Sequence, residues 1–110
     1  MGMDQYLHAS KGEDFIEIGC WRKEYKLNSV IHGIWVNQGK PGDTPEDGFN
    51  GVSVVLTLND VKMLIELAHD RKLHEHKDGK DYFYGKTINI LEVAIEMVCN
   101  GWEMSYHNNY

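Results

Sequence analysis

Cysteine is scarce in this sequence: only Cys20 and Cys99 are present, and the amino terminus lacks the basic and apolar regions of a secretory leader. Two thiols in such a chain favour a reducing cytosol over a disulfide framework, so we expect both to be small buried apolar residues. No apolar run approaches the roughly 18 residues that a membrane-spanning helix needs. We therefore expect a cytoplasmic protein without a membrane partner.

Proline is equally scarce, because both prolines of the chain, Pro41 and Pro45, fall within residues 37–51. The same segment is rich in glycine, which makes it the one linker-like stretch of the sequence. The chain has 110 residues, of which 42% are apolar, enough to bury one core but too few for a second. We predict a single domain spanning residues 1–110.

Basic residues do not dominate either, since 17 acidic side chains against 11 Lys and Arg give a formal net charge of -6. This balance disfavours duplex nucleic acid as a partner, because duplex binding depends on phosphate neutralisation by clustered cations. One short region departs from the acidic background. Arg22, Lys23 and Lys26 against Glu24 leave a local excess of two positive charges (3 − 1), which can attract a small anion.

Hydrophobic periodicity predicts elements in the order β-β-α-β-α-β-α-β. The clearest helix covers residues 57–73, where Thr57 and Asp60 form a capping pair. Thr87 is placed to cap a helix over residues 88–100 that we expect to be buried around most of its circumference. The other predicted elements are a helix over residues 20–35, a hairpin of strands 3–10 and 14–19, and strands 52–56, 82–85 and 102–106. The fold class is α+β, with a mostly antiparallel sheet of four to five short strands packed against three helices.

The predicted helix over residues 20–35 carries an unusual mixture of side chains. Trp21, Tyr25, Asn28, His32 and Trp35 recur at spacings of 4, 3, 4 and 3, which places them on one helical stripe. Flat rings interrupted by an amide and an imidazole suit a site that stacks a ring and hydrogen-bonds its edge. The alternative interpretation is ordinary packing, in which the aromatics are core residues and the polar side chains bond to backbone groups.

Established catalytic and metal motifs are missing from the sequence, which has no nucleophile elbow, Walker loop, dinucleotide fingerprint or zinc-ligand pairs. His74 and His76 have no further ligand at standard zinc spacing, so neither a metal nor a cofactor is predicted. His8 and His107 are candidates for a site, but their separation along the chain says nothing of proximity. The catalytic residues stay unknown, because an activated nucleophile needs a base within reach.

Several short motifs, in order, resemble those of a family of small proteins encoded in bacteriophage genomes. They are MGMDQY at residues 1–6, CWRK at 20–23, IHGIW at 31–35, GFNGVSVVLTLNDV at 48–61, YFYG at 82–85 and SYHNNY at 105–110. The resemblance implies a phage origin and a setting in the host cytoplasm, without a secure biochemical activity. The residues that it marks are Asp4, Tyr6, Trp21, Arg22, Lys23, His32, Gly33, Trp35, Phe83 and Gly85.

The stripe, the cations and the resemblance together suggest a small binding protein, a phage counter-defence factor that captures a nucleotide-derived ligand or signal. One alternative is an inhibitor that binds a host protein through an aromatic patch, and another is a small enzyme acting on a phosphorylated or nucleotide substrate. A homodimer is compatible with each of these functions. The expected ligand-binding residues are Asp4, Tyr6, Trp21, Arg22, Lys23, Asn28, His32 and Trp35.

Overall fold

The fold is seen in a computed structural model, which describes residues 3–39, 49, 51–74 and 80–109. It confirms the α+β class, because four antiparallel strands form one sheet that packs against three helices. Among the described residues, no helix combines the length and the apolar character needed to cross a membrane. The elements are β1 (Asp4–Lys11), β2 (Asp14–Arg22), α1 (Tyr25–Asn37), β3 (Ser53–Leu56), α2 (Leu58–His69), α3 (Lys80–Cys99) and β4 (Glu103–Asn109).

The sheet has the strand order β2-β1-β4-β3, and every neighbouring pair is antiparallel. The predicted hairpin of β1 and β2 is confirmed, with Gly12 in the two-residue turn at a φ of 61°. Glycine at the first turn position accepts this positive φ without a side-chain clash and suits the twist of the strands. The register shifts once, between Leu7 and His8, where Ile18 of β2 is the extra residue.

The two faces of the sheet differ in burial. Along β1, Met3, Gln5, Leu7 and Ala9 are buried, whereas the residues between them are only half-buried. This alternation follows from the two-residue period of a strand and was predicted for residues 3–8. We call the buried side the inner face. The outer face is the opposite side, formed by Asp4, Tyr6, His8 and Ser10 of β1 and by the residues paired with them on β2 and β4.

The helices cover the inner face through apolar stripes. Helix α2 begins with the predicted capping box, in which Thr57 Oγ1 accepts from the Asp60 backbone N–H at 3.2 Å and Asp60 Oδ2 accepts from the Thr57 N–H at 2.9 Å. Its buried residues recur at helical spacing, as do those of α1. The buried positions are Val61, Leu64 and Ala68 on α2, and Leu27, Asn28, Ile31, Ile34 and Trp35 on α1.

The first predicted helix is corrected by the structure, because residues 20–22 belong to β2 and α1 begins at Tyr25. Pairing with β1 continues as far as Arg22, so the ladder hydrogen bonds of the hairpin override the helical spacing of the sequence. Lys23 then adopts a φ of 58°, which ends the strand before the helix starts. The helix continues through Gly33, which is not its end.

The segment around Thr87 is a second correction. Residues 82–85 form no strand but lie within α3, and Thr87 sits inside that helix instead of capping it. A short aromatic run between turn signals is ambiguous between strand and helix, and here the helical pattern that follows extends back through it. The helix is also less buried than predicted, since Leu91 and Ala94 are buried while Glu92 and Val93 are exposed.

The cysteine prediction was wrong as well, because the side chains of Cys20 and Cys99 are both exposed. Cys20 lies on the outer side of the edge strand β2, and Cys99 lies in the last turn of α3. Neither cysteine side chain packs against the core. The proline-rich part of the predicted loop (residues 40–48), His76 and the side chain of Phe83 lie outside the described part of the chain.

Candidate functional site

The residues predicted to form one binding stripe lie in three different places. The stripe itself is therefore wrong as a geometric prediction, because its first member lies on a strand and its others point to both the interior and the solvent. The outer face carries Asp4, Tyr6 and Arg22, and Lys23 is exposed just after the end of β2. The inner side buries Trp21, Asn28 and Trp35. The third place is the exposed surface of α1, where His32 lies.

Trp21 is a core residue in the structure. It pairs with Gln5 across β1 and β2, so its side chain projects to the inner face, where only 6% of the residue stays exposed. Its indole Nε1–H donates to Thr87 Oγ1 of α3 at 3.0 Å. A buried indole N–H needs such a partner, and this one joins the end of β2 to α3.

The Thr87 hydroxyl belongs to a buried polar chain with His74 and Glu24. Thr87 Oγ1 lies 2.7 Å from His74 Nε2, and His74 Nδ1 lies 2.5 Å from Glu24 Oε2. A carboxylate can only accept, so Nδ1 carries the proton, and the hydroxyl donates to Nε2 when the ring is neutral. Tyr84 fixes the segment from the other side, because its hydroxyl accepts from the His74 backbone N–H at 3.0 Å and donates to the His74 carbonyl at 3.1 Å.

This chain of contacts has the order of a hydrolase triad, acid to imidazole to hydroxyl. Its burial argues for a structural role, because Thr87 is 0% exposed and the Glu24 and His74 residues are 4% and 5% exposed. The hydroxyl also accepts the Trp21 indole N–H, so it is engaged on both sides by buried groups. The arrangement therefore holds β2, α1 and α3 together and does not present a nucleophile to solvent.

A second buried polar group continues across the inner face. The Gln5 side chain clamps the start of α1, since Oε1 accepts from the Glu24 N–H at 2.8 Å and Nε2 donates to the Glu24 carbonyl at 3.1 Å. Gln5 Nε2 also donates to the Tyr106 hydroxyl at 2.9 Å. Asn28 Oδ1 accepts from that hydroxyl at 2.6 Å and from Asn108 Nδ2 at 2.9 Å. Asn28 was predicted as a ligand contact, but its side-chain oxygen accepts two hydrogen bonds inside the protein.

His32 lies at the surface in an aromatic cluster with Trp35 and Phe49. Its ring centroid is 4.8 Å from that of Phe49 and 5.6 Å from that of Trp35. Trp35 is 1% exposed, so the indole is part of the core while the imidazole covers it. His32 and Trp21 thus lie in separate environments, one at the surface of α1 and the other in the core beneath β2.

The outer face carries a row of three rings. Tyr6 stacks on His8 with ring centroids 5.9 Å apart, and His8 lies 4.7 Å from Phe15. The row forms because alternation on β1 puts Tyr6 and His8 on one face, while the hairpin register brings Phe15 opposite Ser10. Phe15 is 64% exposed, so the row is open to solvent at that end.

The other end of the row is charged. Arg22 Nε lies 3.8 Å from Asp4 Oδ1, and the two side chains are 72% and 51% exposed. Because Asp4 pairs with Arg22 and Tyr6 pairs with Cys20, Arg22 is a diagonal neighbour of the Tyr6 ring. Arg22 therefore borders the Tyr6 side chain at the protein surface, and the next residue along the chain is a second exposed cation, Lys23.

Strand β4 adds hydrogen-bonding groups beside Tyr6. His107 is the cross-strand partner of Tyr6, and its Nδ1 lies 3.3 Å from Ser53 Oγ on β3. The sequence identified His8 and His107 as candidates but gave no reason to place them together. Their proximity depends on the strand order, because the pairing of β1 with β4 brings His8 and His107 onto neighbouring strands. The strand order could not be read from the sequence.

A groove of about 750 Å³ runs between β2 and α3. It holds none of the predicted ligand-binding residues. At Gly19, the helix approaches so closely that an added Cβ would lie 2.6 Å from Ile90 Cγ2. The groove residues include Ile18, Gly19, Cys20, Lys86, Asn89 and Ile90.

Comparison with known proteins adds no assignment: the chain matches no protein-family model, no curated protein and no solved structure. Within the described residues, no group of three or more His, Cys, Asp or Glu side chains is arranged to hold a metal ion. What the chain binds must therefore be inferred from its own contacts and charges.

Proposed function

We propose that this protein is a small binding module that captures a nucleotide-derived ligand on the outer face of its sheet, as a phage counter-defence factor that removes such a molecule from the host cytoplasm. The observation that supports the proposal is the position of Tyr6 between the Arg22–Asp4 pair and the His8–Phe15 rings. A ring for stacking and a cation for phosphate lie within one cross-strand diagonal of each other.

The proposed roles follow from the chemistry of each group. Tyr6 offers a ring for stacking a base, as aromatic side chains on open sheets do in single-strand binding proteins. Arg22 and Lys23 contact the phosphate, since a guanidinium binds phosphate oxygens through two parallel hydrogen bonds. Asp4 accepts from ribose hydroxyls or a base amine. His107 supplies a further hydrogen-bonding group on the β4 side of the ring.

The buried members of the predicted site have no direct role in this proposal. Trp21, Asn28 and Trp35 are each at most 7% exposed, so a ligand reaches none of them without opening the core. Their function is to fix the strands and α1 that carry the exposed groups. His32 is accessible, but it lies on α1, which packs on the inner side of the sheet.

Isothermal titration against a panel of mono-, di- and cyclic nucleotides tests the proposal. We expect one class of nucleotide to bind, and the Tyr6→Ala variant to bind about 5- to 150-fold more weakly, because stacking on an aromatic contributes roughly 1–3 kcal/mol per base. Arg22→Ala is expected to weaken binding by about 10- to 150-fold, since hydrogen bonds to charged groups contribute roughly 1.5–3 kcal/mol. Arg22→Lys keeps the charge and should retain part of the affinity.

Lys62→Ala is the matched control, because Lys62 is an exposed cation on α2, away from the outer face. It should leave nucleotide binding unchanged. Circular dichroism of each variant separates lost binding from lost folding. Silence across the whole panel, or binding that Arg22→Ala leaves intact, would retire the proposal.

The second candidate is an inhibitor that binds a host protein, and the exposure of Phe15 favours it. An aromatic side chain 64% exposed at the end of an open ring row is a suitable interface anchor. Purification from host lysate distinguishes the two functions. A stoichiometric host protein that Phe15→Ser releases supports the inhibitor, whereas a small molecule that is released on denaturation supports the binding module.

A further inference from the structure

Strand β2 forms an open edge of the sheet. It pairs with β1 on one side, and no described strand pairs with it on the other. It has nine residues, whereas β3 at the opposite edge has four. A long edge strand presents a row of backbone N–H and C=O groups that can pair with another strand, and proteins commonly shorten or cover such edges.

The side chains of this edge are also unusually apolar for a surface. Phe15 is 64% exposed and Ile16 is 44% exposed, and they project to opposite faces of the strand. Burial of both on either side of a new strand pair removes apolar surface from water, which is favourable by roughly 25 cal/mol per Å². The groove beside α3 continues the apolar surface through Ile18 and Ile90.

Charge along the edge identifies the partner. The beginning of β2 and its turn carry the acids Glu13 and Asp14, and its end carries the bases Arg22 and Lys23. All four side chains belong to exposed residues. When two copies of this strand run antiparallel, the acidic end of each lies opposite the basic end of the other, while a parallel arrangement brings like charges together.

We propose that two copies of this chain pair antiparallel through β2, with the two-fold axis near Ile18, and form one continuous eight-stranded sheet. Such an interface is isologous, because the same strand serves both partners. Pairing in the sheet plane leaves both outer faces accessible and joins them into one surface. The inference does not rest on ligand binding, because it depends on the backbone edge of β2 and on the signs of the charges at its two ends. Phe15, Arg22 and Lys23 belong both to this edge and to the proposed ligand surface, so the test measures molecular mass and not nucleotide binding.

Sedimentation velocity over protein concentrations from about 5 to about 500 µM, a range suited to a small interface, tests the pairing. The wild-type mass is expected to rise from the 12.7 kDa of the monomer toward twice that value. The acid-reversed variant, with Glu13→Lys and Asp14→Lys, has bases at both ends of the edge. The base-reversed variant, with Arg22→Glu and Lys23→Glu, has acids at both ends. Each alone is expected to remain a monomer.

An equal mixture of the two variants is the decisive sample. One variant has bases at both ends of the edge and the other has acids at both ends, so the mixture should form a heterodimer although neither variant self-associates. The combined variant with all four changes should dimerise like the wild type, because it restores opposite signs and the original net charge of -6. Heterodimer formation in the equal mixture also shows that the two single-end variants fold.

A matched control reverses charges elsewhere, with Lys62→Glu and Glu66→Lys on exposed positions of α2. That variant should dimerise like the wild type. The proposal is overturned if the wild type stays at 12.7 kDa over the whole concentration range. It is equally overturned if the charge-reversed variants, folded by circular dichroism, fail to associate when mixed.

Discussion

Polar side chains lie on both sides of the sheet, but those on the inner side form short hydrogen bonds to one another, whereas those on the outer face are exposed and more widely spaced. On the inner face, the contacts that link Glu24, His74 and Thr87 measure 2.5 and 2.7 Å. On the outer face, Arg22 and Asp4 lie 3.8 Å apart. Every buried side-chain nitrogen or oxygen in the described part of the chain has a hydrogen-bond partner. Exposure and spare bonding capacity, rather than residue type, distinguish a candidate ligand surface from a structural network.

The same difference separates stability from function. A buried polar group that loses its partner retains the full cost of desolvation, roughly 1–3 kcal/mol and more for a charged group. An exposed group regains water when its partner is removed, so exposed pairs contribute roughly 0–1 kcal/mol. Inner-face substitutions should therefore lower the free energy of unfolding, whereas outer-face substitutions should alter what the protein binds.

The largest effect is expected from Glu24→Ala. Removal of the carboxylate takes away the acceptor of the buried His74 Nδ1–H, at a cost of about 3 kcal/mol, because this hydrogen bond involves a charged group. Urea unfolding followed by circular dichroism measures the change. Glu92→Ala, at an exposed position of α3, is the control and should change stability by less than about 0.5 kcal/mol. Equal stability of the two variants would contradict a structural role for the network.

A smaller loss is expected from Thr87→Val, which keeps the shape of the side chain but removes the hydroxyl. Two buried groups, the Trp21 N–H and His74 Nε2, then lack their partner, at a cost of about 2 kcal/mol. Thr87→Ser retains the hydroxyl and should be more stable than Thr87→Val in the same urea titration. If Ser proves the more destabilising of the two, packing rather than hydrogen bonding would be the main contribution of Thr87.

Local elements could be predicted from the sequence where one signal was strong. The capping box of Thr57 and Asp60 and the alternation along residues 3–8 each rest on neighbours in the chain, and both are confirmed. The extension of β2 through Trp21 could not be predicted in the same way. It depends on hydrogen bonds between β2 and β1. The sequence of this segment also has helical spacing, and only pairing within the whole sheet determines that residues 20–22 form a strand.

The candidate site was less predictable than the fold. The sequence assigned Asp4, Tyr6 and Arg22 to one ligand site together with Trp21 and Asn28. In the structure the first three lie on the outer face, whereas Trp21 and Asn28 are buried on the inner side. Nothing local reveals that the Trp21 side chain points inward, because a shift of one residue in register reverses the face of every side chain on a strand. The buried partners His74 and Thr87 were missed because they are distant in sequence from Glu24.

Tyr106 and Tyr6 are a matched pair of tyrosines on the two faces of the sheet. Tyr106→Phe removes a buried hydroxyl that donates to Asn28 and accepts from Gln5, so we expect a loss of about 1–2 kcal/mol in the free energy of unfolding. Tyr6→Phe makes the same chemical change on the outer face and should cost less than about 0.5 kcal/mol. Thermal unfolding of both variants reports the difference. Similar losses would mean that the two faces are not energetically distinct.

The smallest effect is expected from Ser53→Ala, which breaks the outer-face contact with His107. That contact is 3.3 Å long and exposed, so water replaces the serine hydroxyl and the free energy of unfolding should change by less than about 0.5 kcal/mol. Asn108→Ala is the comparison, because Asn108 follows His107 on β4 and its buried side chain donates to Asn28 Oδ1. Ser53→Ala should leave unfolding almost unchanged while Asn108→Ala lowers stability measurably. A large loss from Ser53→Ala would show that hydrogen bonds on the outer face also stabilise the fold. The polar groups around Tyr6 would then be explained by stability, without a ligand.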